Sequence, residues 1–465
     1  MKSLLSNLLR RQWPFWLGGL FVGLAEIVFY FRYQEFIPVT TGLAQMYAVS
    51  EHYLFGLDWL SRVYEPGIHW VIIGAVGGAW LVARMERESR GWVRYDRRML
   101  AMAFLGGVLF SFGTRLAAGC TTHHFLGGIP SMSIASWVVL LSGIPFAFLA
   151  FRIATWAGLG GYFRHQETRA VAAVEPGHPG YDPTYNPWRD PLRLALGAFA
   201  LLLLFLPVGF ALFGDIYGSV AQFGWFDVSW LTISGLLLGI GIAKCGFGTE
   251  CAAMAPESCA TSEESFRRQG LPPCTYRMFR GMLPLQGLMV AVVVFNLFIL
   301  ASWLWFDGWI PNASGEAGLY WGHVLGGPLL AMGAVFMIGC EVRTYGRLGL
   351  GYGTALAALP GFYVGYLPYT LYKDEIDAVA FGEGLTRFIT IPEWSAHVFG
   401  ASEAVWAVVY SVLLGAILVF SFTAALRYFR VRLRELLVNN TDQLIARAEP
   451  EVKDGAGPAS VPMAG

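Results

Sequence analysis

Ten stretches of this chain are each apolar for long enough to cross about 30 Å of hydrocarbon as a helix. They lie near residues 14–31, 67–83, 101–119, 133–156, 192–213, 226–243, 281–305, 319–340, 350–371 and 398–426. In a bilayer each backbone polar group needs a partner inside the protein, so a chain with this many spans folds as packed helices. With 55% hydrophobic and 14% charged residues it carries more apolar surface than one soluble core can use. The expected class is an all-α polytopic membrane protein. Net charge is zero, from 32 basic and 32 acidic residues, and gives no footprint for nucleic acid.

Charge along the loops orients these spans. Arg84, Arg87, Arg90, Arg94, Arg97 and Arg98 follow the second span, Arg164, Arg169 and Arg189 the fourth, and Arg267, Arg268, Arg277 and Arg280 the sixth. Arg343 and Arg347 follow the eighth, and Arg427, Arg430, Arg432 and Arg434 the tenth, while the loops after the fifth and seventh contain no Lys or Arg. The positive-inside rule then predicts two cytoplasmic termini in a bacterial inner membrane. Lys2, Arg10 and Arg11 precede the first span, which lacks a small-residue cleavage site and reads as uncleaved. Residues 33–66 read as a long outer loop with aromatic residues along the interface, 157–190 as an irregular cytoplasmic loop, and 449–465 as a disordered tail.

Within this frame one pattern occurs twice. GGVLFSFGTRLAAGC, Gly106 to Cys120, and GGPLLAMGAVFMIGC, Gly326 to Cys340, agree at six of fifteen positions, 220 residues apart. Gly106, Gly113 and Gly119 match Gly326, Gly333 and Gly339, and each set ends in a cysteine. Such spacing reads as an internal duplication whose glycines permit close helix packing and whose Gly-Cys ends interrupt the helix. Because each half holds five spans, the halves are expected to be inverted, with 1–213 the first, 214–426 the second and 427–465 a cytoplasmic tail. Inverted repeats with interrupted helices form a central pathway in secondary transporters.

The candidate site residues cluster at those ends. Cys120 is followed by His123 and His124; Lys244, Cys245, Glu250 and Cys251 end the sixth span; Cys340 is followed by Glu341 and Arg343. Arg115 lies inside a span, where a charge is costly and faces a partner or a pathway, with Glu250 and Glu341 as candidate partners. Lys244, Arg343 and Arg347 read first as inside-face topology signals, although Lys244 and Arg343 are also placed to attract an anion. His123 and His124 read equally well as a polar cap or as substrate contacts. Cys259 and Cys274 read as loop cysteines with no site role.

The stretch GCTTHHFLGGIPSMSIASW resembles the GGC-x-x-GH-x-x-SG...SW element of the YeeE/YedE sulfur-transport family, and GCEVRTYGRLGLGYGTALAALPG resembles its GGC...R...GEG element. KCGFGTEC is a looser match to a third, GFC element. His123-His124 stands where the family shows Gly-His, and Gly349-Leu350-Gly351 where it shows Gly-Glu-Gly. The resemblance implies an inner-membrane carrier for thiosulfate or a related small sulfur compound, in the direction of uptake. It also implies a pathway through Cys120, Cys340 and one of Cys245 and Cys251, whose thiols touch the ion without lasting covalent chemistry. A soluble cytoplasmic sulfur-handling partner is compatible with it.

Two other classes compete. A membrane thiol-disulfide oxidoreductase would want paired redox cysteines, and the chain has no CxxC. A soft-metal carrier would use Cys120, His123 and His124, but intramembrane carboxylates and methionine clusters are sparse. No P-loop is present, and neither enzymatic activity, a cofactor nor a resident metal is expected.

Overall fold

The structure is a computed structural model that describes residues 13–86, 94–160, 162, 180–245, 273–306, 318–428 and 432–438. Among the described residues it is all-α, without a β-strand. Fifteen α-helices are present: α1 Phe15–Tyr33, α2 Val39–Phe55, α3 Trp70–Glu86, α4 Arg97–Leu116, α5 Ile134–Trp156, α6 Pro191–Phe213, α7 Val220–Cys245 and α8 Pro273–Phe306 in the first part. There follow α9 Trp321–Phe336, α10 Glu341–Leu350, α11 Gly353–Leu371, α12 Lys373–Ala380, α13 Ile391–Phe399, α14 Glu403–Tyr428 and α15 Leu433–Val438. Each of the ten apolar stretches coincides with one of them. Eight candidate spans are long and apolar enough to cross a membrane, one of them running from Trp321 to Leu350 through the break between α9 and α10. The protein is thus a multi-pass membrane protein.

Polar residues set the helix starts where they emerge from the apolar runs. Asp96 caps α4 by accepting from the Arg98 amide at 2.8 Å, and Asp190 caps α6, whose first residue is a proline. Thr390 accepts from the Glu393 amide at 3.3 Å while the Glu393 carboxylate accepts from the Ile389 amide at 2.9 Å, which pins α13 at both sides of its start.

Packing follows the glycines. α4 and α9 cross antiparallel, with Gly106 against Gly333 and Met337, and Gly326 against Ala117. A Cβ on Gly326 would lie 2.5 Å from the Ala117 amide nitrogen, and one on Gly333 would lie 2.5 Å from that of Phe110. Gly107 packs on α11 and Gly327 on α5 in the same manner. α4 therefore lies along α11 as α9 lies along α5, and α3 lies along α7 as α8 lies along α1. A shift of 220 residues carries α4 to α9 and α5 to α11.

Three sequence expectations change. Residues 39–55 are not an interfacial helix: α2 is a core helix with Val39, Thr40, Leu43, Met46, Tyr47 and Val49 buried. It is sealed by Gly42 packing against His69, which leaves no space for a side chain. Lys244, Arg343 and Arg347 are buried rather than displayed at a surface. Cys274 lies in α8, not in a loop. Cys251, Cys259, Glu250 and the 449–465 tail lie outside the described residues.

The α4–α9 crossing has no slack, so Gly326→Val should cost about 1–3 kcal/mol by overpacking. Gly197→Ala, where nothing stands within 4 Å of the new Cβ, should leave the protein intact. Thermal unfolding followed by size exclusion in detergent will check this; equal melting temperatures for the two variants would exclude a tight crossing.

Candidate functional site

Both glycine-cysteine motifs end their helix with the same turn. After α4 the Ala118 backbone is left-handed at φ 55, and after α9 Ile338 is left-handed at φ 56. The amide of Gly119 donates to Thr114 O at 3.0 Å and that of Gly339 to Ala334 O at 2.8 Å, a Schellman closure in each case. The chain then reverses into a short second element, a π-helical turn over Thr122–Gly128 in the first motif and α10 in the second.

The carbonyls exposed by these breaks are met by side chains from the element that follows. His124 Nε2 lies 2.9 Å from Ala117 O, and its Nδ1 lies 2.9 Å from Ser136 Oγ. A carbonyl can only accept, so Nε2 carries the proton and Nδ1 accepts from Ser136. In the second motif Arg347 Nη1 donates to Met337 O at 3.2 Å and to Ile338 O at 2.6 Å. His124 is therefore committed to the break and does not line the cavity, whereas His123, with its ring 5.1 Å edge-on from Phe36, does.

That cavity, about 280 Å³, opens among the ends of α1, α4 and α11 and the start of α2. Its polar lining includes Glu35, Thr40, Thr114, Arg115, Cys120 and His123. A polar cavity of this size admits a small ion with water. At its floor Cys120 is 2% exposed, with the amides of Thr122 and His123 and the hydroxyl of Thr40 in hydrogen-bonding reach of its sulfur.

Arg115 gives the cavity its cation. Its Nη1 donates to Tyr64 Oη at 3.0 Å, its Nε donates to Thr114 Oγ1 at 3.1 Å, and the guanidinium lies 5.4 Å from the ring centres of Tyr64 and Tyr366. Its charge acts on Glu341, which is 0% exposed, while Glu250, the other candidate partner, lies outside the described residues. Glu341 is the first residue of α10, where a carboxylate suits the helix dipole. It accepts from the hydroxyls of Thr40 and Tyr345, the latter at 2.7 Å, and reaches the Cys120 side chain. The residue after Cys340 thus touches Cys120, which draws the two motifs together.

The other predicted positions lie apart from the cavity. Cys340 caps α10 and is buried. Cys245 is buried at the end of α7, donating to Gly241 O at 2.8 Å and filling the space over Gly18 of α1. Lys244 Nζ sits 5.7 Å from the Trp13 ring centre, and the Arg343 stem covers Gly339. Among the described residues Cys120, Cys245 and Cys340 form no disulfide. Among the described residues no three His, Cys, Asp or Glu side chains gather to hold a metal ion. What sequence reasoning missed is Thr40: its helix was assigned to the interface, and only the threonine pair before a glycine at Thr40-Thr41-Gly42 hinted at a close, polar packing position.

Fold and site together define a class: a multi-pass all-α membrane protein in which two interrupted helices meet beside a small polar cavity that ends on a thiol. The resemblance to the YeeE/YedE sulfur-transport family is supported by direct comparison, since residues 2–145 match the family model described as Sulphur transport. The probable transporter YedE of Escherichia coli is 31% identical over 88 residues, 19% of this chain and 20% of the relative. Its Salmonella typhimurium counterpart is 32% identical over 88 residues with the same shares. The thiosulfate transporter TsuA of Spirochaeta thermophila is 28% identical over 85 residues, 17% of this chain and 26% of the relative. The matches span only about a fifth to a quarter of the length of these relatives.

The two histidines should separate on substitution. His124→Ala removes the donor to the Ala117 carbonyl in the interior and should cost about 1–3 kcal/mol. His123→Ala should leave the melting temperature within a degree or two and change only what the cavity binds. Thermal melting of both in detergent decides; equal destabilisation would overturn the assignment of the break to His124.

Proposed function

We propose that this protein carries thiosulfate or a closely related small sulfur oxyanion across the bacterial inner membrane, in the direction of uptake. The observation that carries this reading is the cavity that narrows onto Cys120 with Arg115 at its side. A guanidinium supplies charge for an anion, and a thiol, polarisable and weakly donating, suits a soft sulfur atom without holding it. Beyond Cys120 the hydroxyls of Thr121 and Thr122 are buried without a hydrogen-bond partner. Such groups are costly unless something polar visits them, and a passing oxyanion would do so.

In this reading both termini are cytoplasmic, as the positive-inside rule suggests for the arginine-rich loops, and the Cys120 cavity opens on the outer side. The two halves, 1–213 and 214–426, act as inverted repeats, so that Cys120 and Cys340 are approached from opposite faces. The ion passes Cys120, then Cys340, then the Cys245 and Cys251 region on the inner side, without a chemical reaction. A soluble sulfur-handling protein in the cytoplasm would take the product. The relatives named as transporters, one of them for thiosulfate, support the substrate class.

Uptake of radiolabelled thiosulfate into cells lacking their own carriers tests the reading, with sulfite and sulfate as competitors. Wild type should take up the label, and Cys120→Ala and Cys340→Ala at equal membrane abundance should each lose at least about 90% of it, a barrier change of about 1.4 kcal/mol or more. Normal uptake by both variants would overturn the cysteine pathway; no uptake by wild type would overturn the substrate.

A further inference from the structure

The cavity holds a cation whose charge is already answered. Arg115 faces the buried carboxylate of Glu341, and Thr40, which lines the cavity and reaches Cys120, spends its hydroxyl proton on that same carboxylate. An incoming anion would want the Arg115 charge, the Thr40 hydroxyl and the Cys120 thiol, and Glu341 engages all three. In a low-dielectric interior two anions side by side repel strongly, so a charged Glu341 and a bound oxyanion exclude one another.

From this competition we propose that Glu341 is a proton-operated gate, so that the anion and a proton cross together. The inference rests on the transport reading above. With the carboxylate charged, the Arg115–Glu341 pair is neutral and the seat beside Cys120 is taken. When a proton from the cavity neutralises Glu341, Arg115 regains a net positive charge for the anion and the Thr40 hydroxyl is free to turn. The neutral carboxyl keeps the Tyr345 hydroxyl as a donor, and its new O–H donates to the Thr40 hydroxyl oxygen, whose own proton turns toward the cavity. Because Glu341 directly follows Cys340, loosening its hold on Thr40 and Cys120 also loosens the first motif from the second. The proton leaves on the far side after the anion, and the carboxylate closes the seat again. One proton accompanies each anion, which removes one unit of the negative charge whose entry the membrane potential opposes.

The surroundings of Glu341 suit this role. α2 brings Thr40 and Tyr47, α4 brings Arg115, α11 brings Tyr366, the first motif brings Cys120, and α10 itself brings Tyr345. The other charged groups near α10 have separate attachments: Arg347 on the α9 carbonyls, Arg343 over Gly339, Lys244 over Trp13 and Arg84 over Trp80. Glu341 is thus met by hydroxyls and a thiol as well as by the charge of Arg115.

The test uses the full chain in proteoliposomes holding a pH-sensitive dye, with radiolabelled thiosulfate outside, whose two charges persist across a mildly acidic to neutral series. Wild-type uptake should rise as external pH falls, by up to about tenfold per pH unit for a single proton, and the lumen should acidify in step with the label. Glu341→Gln should move thiosulfate at a rate independent of pH and without acidification, and Glu341→Asp should restore both. Wild-type uptake that is independent of pH and brings no proton overturns the gate while leaving the transport reading intact. So does a folded Glu341→Gln protein that still responds to pH or moves no thiosulfate at any pH. If Glu341→Gln fails to fold, the wild-type acidification decides alone. Failure of wild type to move thiosulfate at all is the separate result that overturns the transport reading, and the coupling with it.

Discussion

A helix that stops inside a membrane protein leaves carbonyls with no water to receive them, and this constraint shapes both motifs. Each break is closed by its own turn and then by a side chain borrowed from the element beyond. The two repeats solve the second part differently. His124 reaches Ala117 O through an imidazole N–H, with its other ring nitrogen 2.9 Å from Ser136 Oγ. Arg347 meets the matching carbonyl of Met337 as a cation, braced 4.8 Å from the centre of the Tyr352 ring. A common geometry with unlike chemistry indicates that the break itself is what must be kept. The cost is visible in the backbone, since left-handed Ala118 and Ile338 occupy a conformation that glycine would take freely, at about 1–2 kcal/mol each. Ile338 is β-branched and bears it most heavily.

Once the breaks are secured, the glycine seam decides what they can do. Gly106, Gly113, Gly326 and Gly333 let α4 and α9 approach until backbone meets backbone, so the two helix ends stop close to one another instead of a side-chain layer apart. Only then does Glu341, one residue past Cys340, reach Thr40 and Cys120. α2 fills the remaining space, and its polar positions are tolerated because tyrosines from the second half serve them: Tyr366 donates to Thr40 O at 3.2 Å, and Tyr345 lies 3.5 Å from Val39 O. The site is thus assembled around both glycine-cysteine motifs and belongs to neither alone.

Much of this was legible in the residues, and the parts that were not share a cause. Apolar length placed a helix at each of the ten stretches, although among the described residues eight spans are long and apolar enough to cross a membrane, α3 being shorter and α11 not among them. The spacing of glycine and cysteine located both breaks because close approach tolerates no other residue. Hydropathy failed on α2, whose Thr40, Thr41, Gln45, Ser50, Glu51 and His52 lower its apolar character although most of its length is buried. It failed again on Lys244, Arg343 and Arg347, which look like surface charges in sequence and are buried in the structure. For Lys244 the covering partner is Trp13, far away in the chain, whereas Arg347 turns back to the Met337 and Ile338 carbonyls ten and nine residues before it, and only the break in the helix between them makes that reach possible. The same holds for His123 and His124, neighbours with opposite assignments: a π-helical turn sends one ring into the cavity and the other back to Ala117.

Two carboxylates lie fully buried in the bundle, and comparing them shows why only one is suited to change its charge during function. Glu26 of α1 accepts from the Ile37 amide at 3.4 Å through one oxygen, and its other oxygen has no partner. That single bond tethers the segment carrying Phe36 and Pro38, both of which line the cavity, so Glu26 serves the cavity wall from behind without facing an ion. Glu341 instead meets a cation, two hydroxyl donors and a thiol, an arrangement rich enough to hold the charged form and the neutral form in turn. A buried ion pair contributes little to stability for what it costs to desolvate. Retaining a buried carboxylate near a buried cation between two broken helices is therefore hard to explain by stability alone, and the place of Arg115 in the cavity lining, with Glu341 behind that lining on Thr40 and Cys120, offers another reason.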